Sequence, residues 1–112
     1  MFDFLKPAAP TYQNLTPAEF SAALRQPGAL LLDVHRPDEF ASGHLPGALN
    51  IDVTSPDFGP RVAALDKSAP LYVYCRSGAR SATAAGQLTK AGFAQVHNML
   101  GGVLDWSEPL VR

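Results

Sequence analysis

The chain has 112 residues, nine basic and ten acidic side chains for a formal net charge of −1, and a composition that is 46% hydrophobic and 17% charged. That length suits one domain burying roughly two thirds of its unfolded surface, and balanced charge without a basic stripe argues against nucleic-acid binding. One cysteine excludes a disulfide within the chain and fits a reducing, cytoplasmic setting.

Residues 1–10 read as an N-terminal extension, with Pro7-Ala8-Ala9-Pro10 separating Phe2, Phe4 and Leu5 from a domain expected over residues 11–112. This apolar tag is too short to span a membrane and lacks the basic leader of a signal peptide. It is expected to pack on its own domain or to fray, with a contact to a partner or a membrane as the alternative. Thr16-Pro17-Ala18-Glu19 has a capping threonine, proline at the first helical position and glutamate three after the cap, which predicts a helix to about Gln26. Pro27-Gly28 should stop it. Leu30 to Val34 is an apolar run suited to a strand buried on both faces. A short helix is expected at Pro37-Asp38-Glu39-Phe40, closed by Gly43, and a short strand over Leu49 to Asp52. A brief helix follows over Arg61 to Leu65, and Leu71-Tyr72-Val73-Tyr74 is the clearest strand, with both tyrosines expected on one sheet face. After a glycine-containing loop, a helix is expected from about Ser81 to Ala91, then a strand over Gln95 to Asn98 and a last helical turn over Val103 to Trp106.

Strands alternating with helices predict an α/β domain, a central parallel sheet with helices on both faces. In such sheets the functional site lies beyond the carboxyl ends of the strands. Cys75 stands there, directly after Tyr74.

The stretch Cys75-Arg76-Ser77-Gly78-Ala79-Arg80-Ser81 joins a buried strand to a helix N-terminus. A thiolate, not a thiol, is the nucleophile. A loop curled around the sulfur can aim backbone N–H groups at it, and the first turn of the helix adds partial positive charge. Arg76 and Arg80 bring two full charges, and Gly78 suits the tight curl because it takes positive φ without steric cost. A lone cysteine is most often a small buried hydrophobe, but that reading leaves the arginines, the glycine and the helix start unexplained.

With these residues in view, the sequence resembles the rhodanese domain family. Leu32-Asp33-Val34, Pro37, Glu39-Phe40, Gly43 to Ala48 and Asn50-Ile51 match its upstream signature. Cys75 to Ser81 matches its active-site loop, and Gly92-Phe93, Val96, Asn98-Met99, Gly101-Gly102 and Trp106 match its C-terminal pattern. The similarity runs through nearly all of the chain after about Tyr12. It implies a sulfurtransferase in which Cys75 takes sulfane sulfur from a small anionic donor, typically thiosulfate, and passes it to cyanide or a cellular thiol. That double displacement needs neither metal nor organic cofactor. It also implies that the backbone amides of Arg76, Ser77, Gly78, Ala79, Arg80 and Ser81 cradle the persulfide while Arg76 and Arg80 bind the donor.

One departure stands out. The family commonly places arginine after Asp-Val, paired with the glutamate four residues on; here that position is His35, expected to face Glu39 as a structural substitute, with a proton donor at the site as the lesser reading and Arg36 a second candidate partner. Asp33 is expected to support the site by accepting hydrogen bonds. His44 and His97 carry no metal-ligand spacing with His35, and Phe93 and Trp106 are expected in the core. Two other readings are a phosphatase or arsenate reductase on the same fold, and a persulfide carrier or regulatory interaction module delivering sulfur to a protein acceptor. The first needs a loop one residue longer than the four residues, Arg76 to Ala79, between Cys75 and Arg80. The second would use the same persulfide, and only loss of the cysteine would mark a pure scaffold.

Overall fold

The computed structural model describes residues 11–112; the extension with Phe2, Phe4 and Leu5 lies outside them. Five strands, β1 (Gln13–Leu15), β2 (Leu30–Asp33), β3 (Leu49–Asn50), β4 (Leu71–Tyr74) and β5 (Val96–Met99), alternate with four helices. These are α1 (Pro17–Ala23), α2 (Pro37–Ser42), α3 (Phe58–Ala63) and α4 (Ala79–Lys90), and a 3-10 turn over Gly102–Asp105 follows β5. The sheet order is β1-β5-β4-β2-β3 and every pairing is parallel. The predicted parallel α/β architecture is the one observed.

Local chemistry sets the helix boundaries. Thr16 Oγ1 accepts from Glu19 N at 3.2 Å while Glu19 Oε1 accepts from Thr16 N at 2.9 Å, closing the expected capping box. Helix α1 ends earlier than the expected Gln26, but the chain keeps coiling through three-residue bonds, Arg25 N to Ala22 O and Gln26 N to Ala23 O, before Pro27. Helix α3 starts earlier than expected because Pro60, in its first turn, sits where a missing N–H costs nothing. Strand β1 is absent from the sequence-based expectation: three residues with no apolar alternation form an edge, held only by β5 in register Gln13 to His97.

Side-chain alternation along β4 divides the core. Leu71 and Val73 face Phe58 and Val62 of α3 and Ala84, Ala85 and Leu88 of α4. Tyr72 and Tyr74 share the opposite face with Phe20 of α1 and Met99, with Trp106 packed alongside. Phe20 meets both Tyr72 and Trp106 edge-on, a favoured aromatic geometry. With both faces covered, the open end of the sheet is its carboxyl edge, where β2, β4 and β5 deliver His35, Cys75 and Gly101 side by side. No helix among the described residues is long and apolar enough to cross a membrane.

Candidate active site

The loop after β4 wraps its own sulfur. Cys75 Sγ accepts from Gly78 N at 3.1 Å and from Ser81 N at 3.2 Å, and the cysteine is only 1% exposed. Gly78 makes the curl with φ +100, a left-handed conformation that a side chain would strain. Ser81 Oγ donates to Gly78 O at 3.2 Å and ties the curl to the first turn of α4. That turn leaves its leading N–H groups without helical acceptors, and one of them serves the sulfur.

The loop's carbonyls are held away from the sulfur by the 3-10 turn. Val103 N donates to Cys75 O at 2.9 Å and Leu104 N to Arg76 O at 3.1 Å. This close approach requires Gly102, where a Cβ would meet Arg76 O, Arg76 C at 2.5 Å and Cys75 O at 2.5 Å. With carbonyls pinned behind, N–H groups face forward. In the sequence, Gly101-Gly102 belongs to the C-terminal pattern and carries no such role; a Gly-Gly pair after a strand is the signal that points to a backbone contact.

Charge is arranged differently from expectation. His35 does not pair with Glu39. Its backbone N donates to Asp33 Oδ1 at 2.8 Å, and its ring Nδ1 lies 3.0 and 3.2 Å from the two Asp33 oxygens. The imidazole is too short and too deeply drawn toward Asp33 to serve as the longer arginine would. Glu39 is instead held by Arg80 in a two-pronged pair, Nη1 to Oε1 at 2.7 Å and Nη2 to Oε2 at 3.0 Å. It also accepts from Arg36 N at 3.0 Å. The Arg80 guanidinium and this backbone donor hold the Glu39 carboxyl down at about 2, and the same carboxylate raises the Arg80 pKa. Arg36 spends its side chain on Asp38 at 2.8 Å, outside the site. Arg80, a donor-binding candidate in the sequence, has its fork on Glu39, and the pair braces the loop against α2. Arg76 is exposed and has no ion-pair partner among the described residues.

Asp33 is fully buried and accepts from His35 N in the turn out of β2. Asn50 Nδ2 donates to Asp33 O at 3.1 Å and His35 O at 2.9 Å, locking the turn out of β2. Burial, with Asp33 beside it, pushes the Tyr74 phenol above its ordinary range, and its hydroxyl accepts from Leu45 N at 3.0 Å. Sequence reasoning gave Asn50 and the Tyr74 hydroxyl no part here, since nothing local marks a polar tip under a strand end. His44 stacks on Phe40 and its Nδ1 sits 2.8 Å from Phe40 O, a structural role. His97 stacks on Tyr72, and burial lowers its pKa. The described residues contain no cluster able to hold a metal. A cleft of about 230 Å³ opens beside the loop, lined by His35, Glu39, Ser42, Arg76, Val103 and Leu110.

A buried cysteine ringed by backbone donors, at the carboxyl edge of a five-stranded parallel sheet, defines a class of α/β protein built around one thiol. Residues 16–109 match the profile of the rhodanese-like domain. The chain belongs to that family. A thiosulfate sulfurtransferase GlpE of Stutzerimonas stutzeri is 40% identical over 91 residues, 80% of this chain and 81% of the relative. The protein YqhL of Bacillus subtilis is 38% identical over 94 residues, 84% of this chain and 71% of its own. Among solved structures, a rhodanese-like domain protein from Staphylococcus aureus superposes with TM-score 0.78 at 26% identity, covering 88% of this chain and 96% of that one.

Proposed function

We propose that this protein is a thiosulfate sulfurtransferase working through a persulfide on Cys75. The observation that carries the reading is the pair of N–H bonds from Gly78 and Ser81 to Sγ, which stabilise negative charge on the one atom that must be nucleophilic. The thiolate attacks the outer sulfur of thiosulfate; the sulfur–sulfur bond breaks and its electron pair leaves with sulfite. The outer sulfur stays on Cys75 as a persulfide. A cyanide or thiol acceptor then takes that sulfur, and the bonding pair returns to Sγ. No net redox change occurs, so the chemistry calls for neither metal nor organic cofactor. The N–H groups of Ser77, Ala79 and Arg80, which find no acceptor among the described residues, are the donors available to the added sulfur. A protein thiol can serve as acceptor in the same way, and the single unpaired cysteine suits a reducing compartment such as the cytoplasm.

The test is turnover of thiosulfate with cyanide beside an aryl phosphate, under the same conditions. Thiocyanate formation with negligible phosphate release is expected, because the four residues between Cys75 and Arg80 leave a nest sized for one sulfur atom. A phosphoryl group brings three oxygens that each need a donor. Phosphate release with no thiocyanate would overturn the assignment.

Arg76 is the cation free to meet the anionic donor. Exposed ion pairs are worth about 0.2–1 kcal/mol, so Arg76→Ala should raise the thiosulfate KM about 1.4- to fivefold. Added salt should raise the KM of the native protein and erase this difference. Steady-state kinetics at two ionic strengths check both statements; an unchanged KM in Arg76→Ala would remove Arg76 from donor binding.

A further inference from the structure

Among the described residues five large hydrophobic side chains are exposed, and four of them, Leu100, Leu104, Leu110 and Val111, follow β5. Single apolar side chains are ordinary on a surface, but grouped ones mark a contact. Three of these four are grouped beside Arg76. Leu104, 63% exposed, donates its backbone N–H to Arg76 O at 3.1 Å. Leu110 lines the cleft together with Arg76 and Val103, and Val111 follows it, bonded through its backbone to His44. Arg76 is the unpaired charge in this patch. Glu39, in the same cleft, is taken by Arg80, Arg36 is paired with Asp38, and the Asp105 carboxylate lies back over Gly101, where it would block an added Cβ. Cys75 is only 1% exposed. The sulfur therefore offers a partner almost no contact of its own, and recognition falls to the surface around its loop.

We propose that this patch docks a protein partner whose contact surface is apolar and carries a carboxylate, and that this partner brings the acceptor thiol to the Cys75 loop. The inference rests on the persulfide reading above. Size argues for a protein. Leu104 and Val111 stand outside the cleft, whose volume of about 230 Å³ is below the roughly 300–1,000 Å³ of small-molecule pockets. A small thiol seated there would leave both side chains bare. A standard protein footprint of about 800 Å² per partner, ~30 Å across, centred on Arg76 takes in Leu104, Leu110 and the adjoining Cys75 loop together. Charge argues for a carboxylate: arginine is the charged residue that interface cores retain, and its planar fork is best matched by a carboxylate. One cation is too little to hold an anionic lipid surface, which takes a cluster of basic residues. In the step, the partner's thiol loses its proton to water. The thiolate pair bonds to the outer sulfur of the Cys75 persulfide, which keeps its own hydrogen, and the Cys75 sulfur–sulfur bond breaks with its pair returning to Sγ. The partner leaves as a persulfide, and no electrons are gained or lost overall.

The test separates docking from chemistry. Native protein, Leu104→Asp and Leu110→Ser are each loaded with thiosulfate, and the persulfide is confirmed by intact mass. Each loaded protein is then mixed in a single turnover with cyanide and with two peptides of equal length. Both peptides carry one cysteine among leucines, flanked by glutamates in one and by lysines in the other. Each peptide rate is divided by that peptide's rate with a small disulfide, which removes differences in thiol acidity. It is divided again by the same protein's rate with cyanide, which removes any change at Cys75. On this scale the native protein should prefer the glutamate peptide about tenfold at low salt and lose most of that preference at high salt. Leu104→Asp should lower the glutamate-peptide value about tenfold. Leu110→Ser should lower it several-fold, and it supplies the result if Leu104→Asp does not fold. No preference between the peptides, or values unchanged in both variants, would overturn the proposal. Sedimentation of the native protein, but not of Leu104→Asp, with vesicles of equal phosphatidylserine and phosphatidylcholine would also overturn it, making the patch a membrane contact. Failure of the native protein to load would count against the persulfide reading itself.

Discussion

Gly102→Ala should lower the stability of the fold by about 2–5 kcal/mol and abolish sulfur loading on Cys75. Two costs combine at this position. Gly102 holds φ +61, and the added Cβ would press into the Arg76 and Cys75 carbonyls, which are backbone atoms unable to swing aside. Relief requires the 3-10 turn to move off the loop, breaking Val103 N to Cys75 O and Leu104 N to Arg76 O. The carbonyls released from that turn are then free to rotate toward the sulfur and spoil the donor ring. Gly28→Ala isolates the first cost, since Gly28 has φ +81 and an added Cβ there would meet nothing within 4 Å. It should lose only the left-handed penalty, about 1–2 kcal/mol, and load normally. Urea midpoints at constant slope give both values. Equal losses in the two variants would mean that the close approach behind the loop contributes nothing.

Glu39→Gln should cost about 1–2 kcal/mol at pH 7 and lower turnover by releasing Arg80. A two-pronged charged pair is worth more than an isolated surface pair, and the partial exposure of both side chains, 32% and 27%, keeps it below a buried one. The pH dependence follows from the folded value of about 2 against an ordinary value of 4.5. The folded pKa is depressed, so the carboxylate's contribution is fully present above about pH 4.5. It is lost as pH falls toward the folded value of about 2. The stability gap between native protein and variant should therefore be widest at neutral pH and close as pH drops through that window. A gap of the same size at pH 7 and near pH 2 would show that shape, not charge, is what Glu39 contributes.

The parts of this fold that announce themselves in sequence are those set by local chemistry. Thr16 and Glu19 cap a helix whatever surrounds them, the Leu71 to Tyr74 run has one good use, and Cys75 with its following glycine and arginines reads as a charged curl before a helix. The missed strand, Gln13–Leu15, exists only because β5 is beside it; its residues carry no pattern of their own. The site's wiring is illegible for the same reason. Arg80 lies 41 residues from Glu39, and the expected His35–Glu39 contact follows chain proximity. Folding instead gives Glu39 a better-matched planar partner and gives His35 the buried Asp33 two residues back. Gly102 likewise reveals its purpose only when β5 brings it behind the loop.

The most direct test of the central claim is the intact mass of the protein after incubation with thiosulfate, measured for the native chain and for Cys75→Ser. The native chain should gain one sulfur atom, and cyanide should remove it as thiocyanate. Cys75→Ser should keep its mass unchanged. An unaltered native mass, or the same adduct on the serine variant, would contradict a mechanism carried by the Cys75 persulfide.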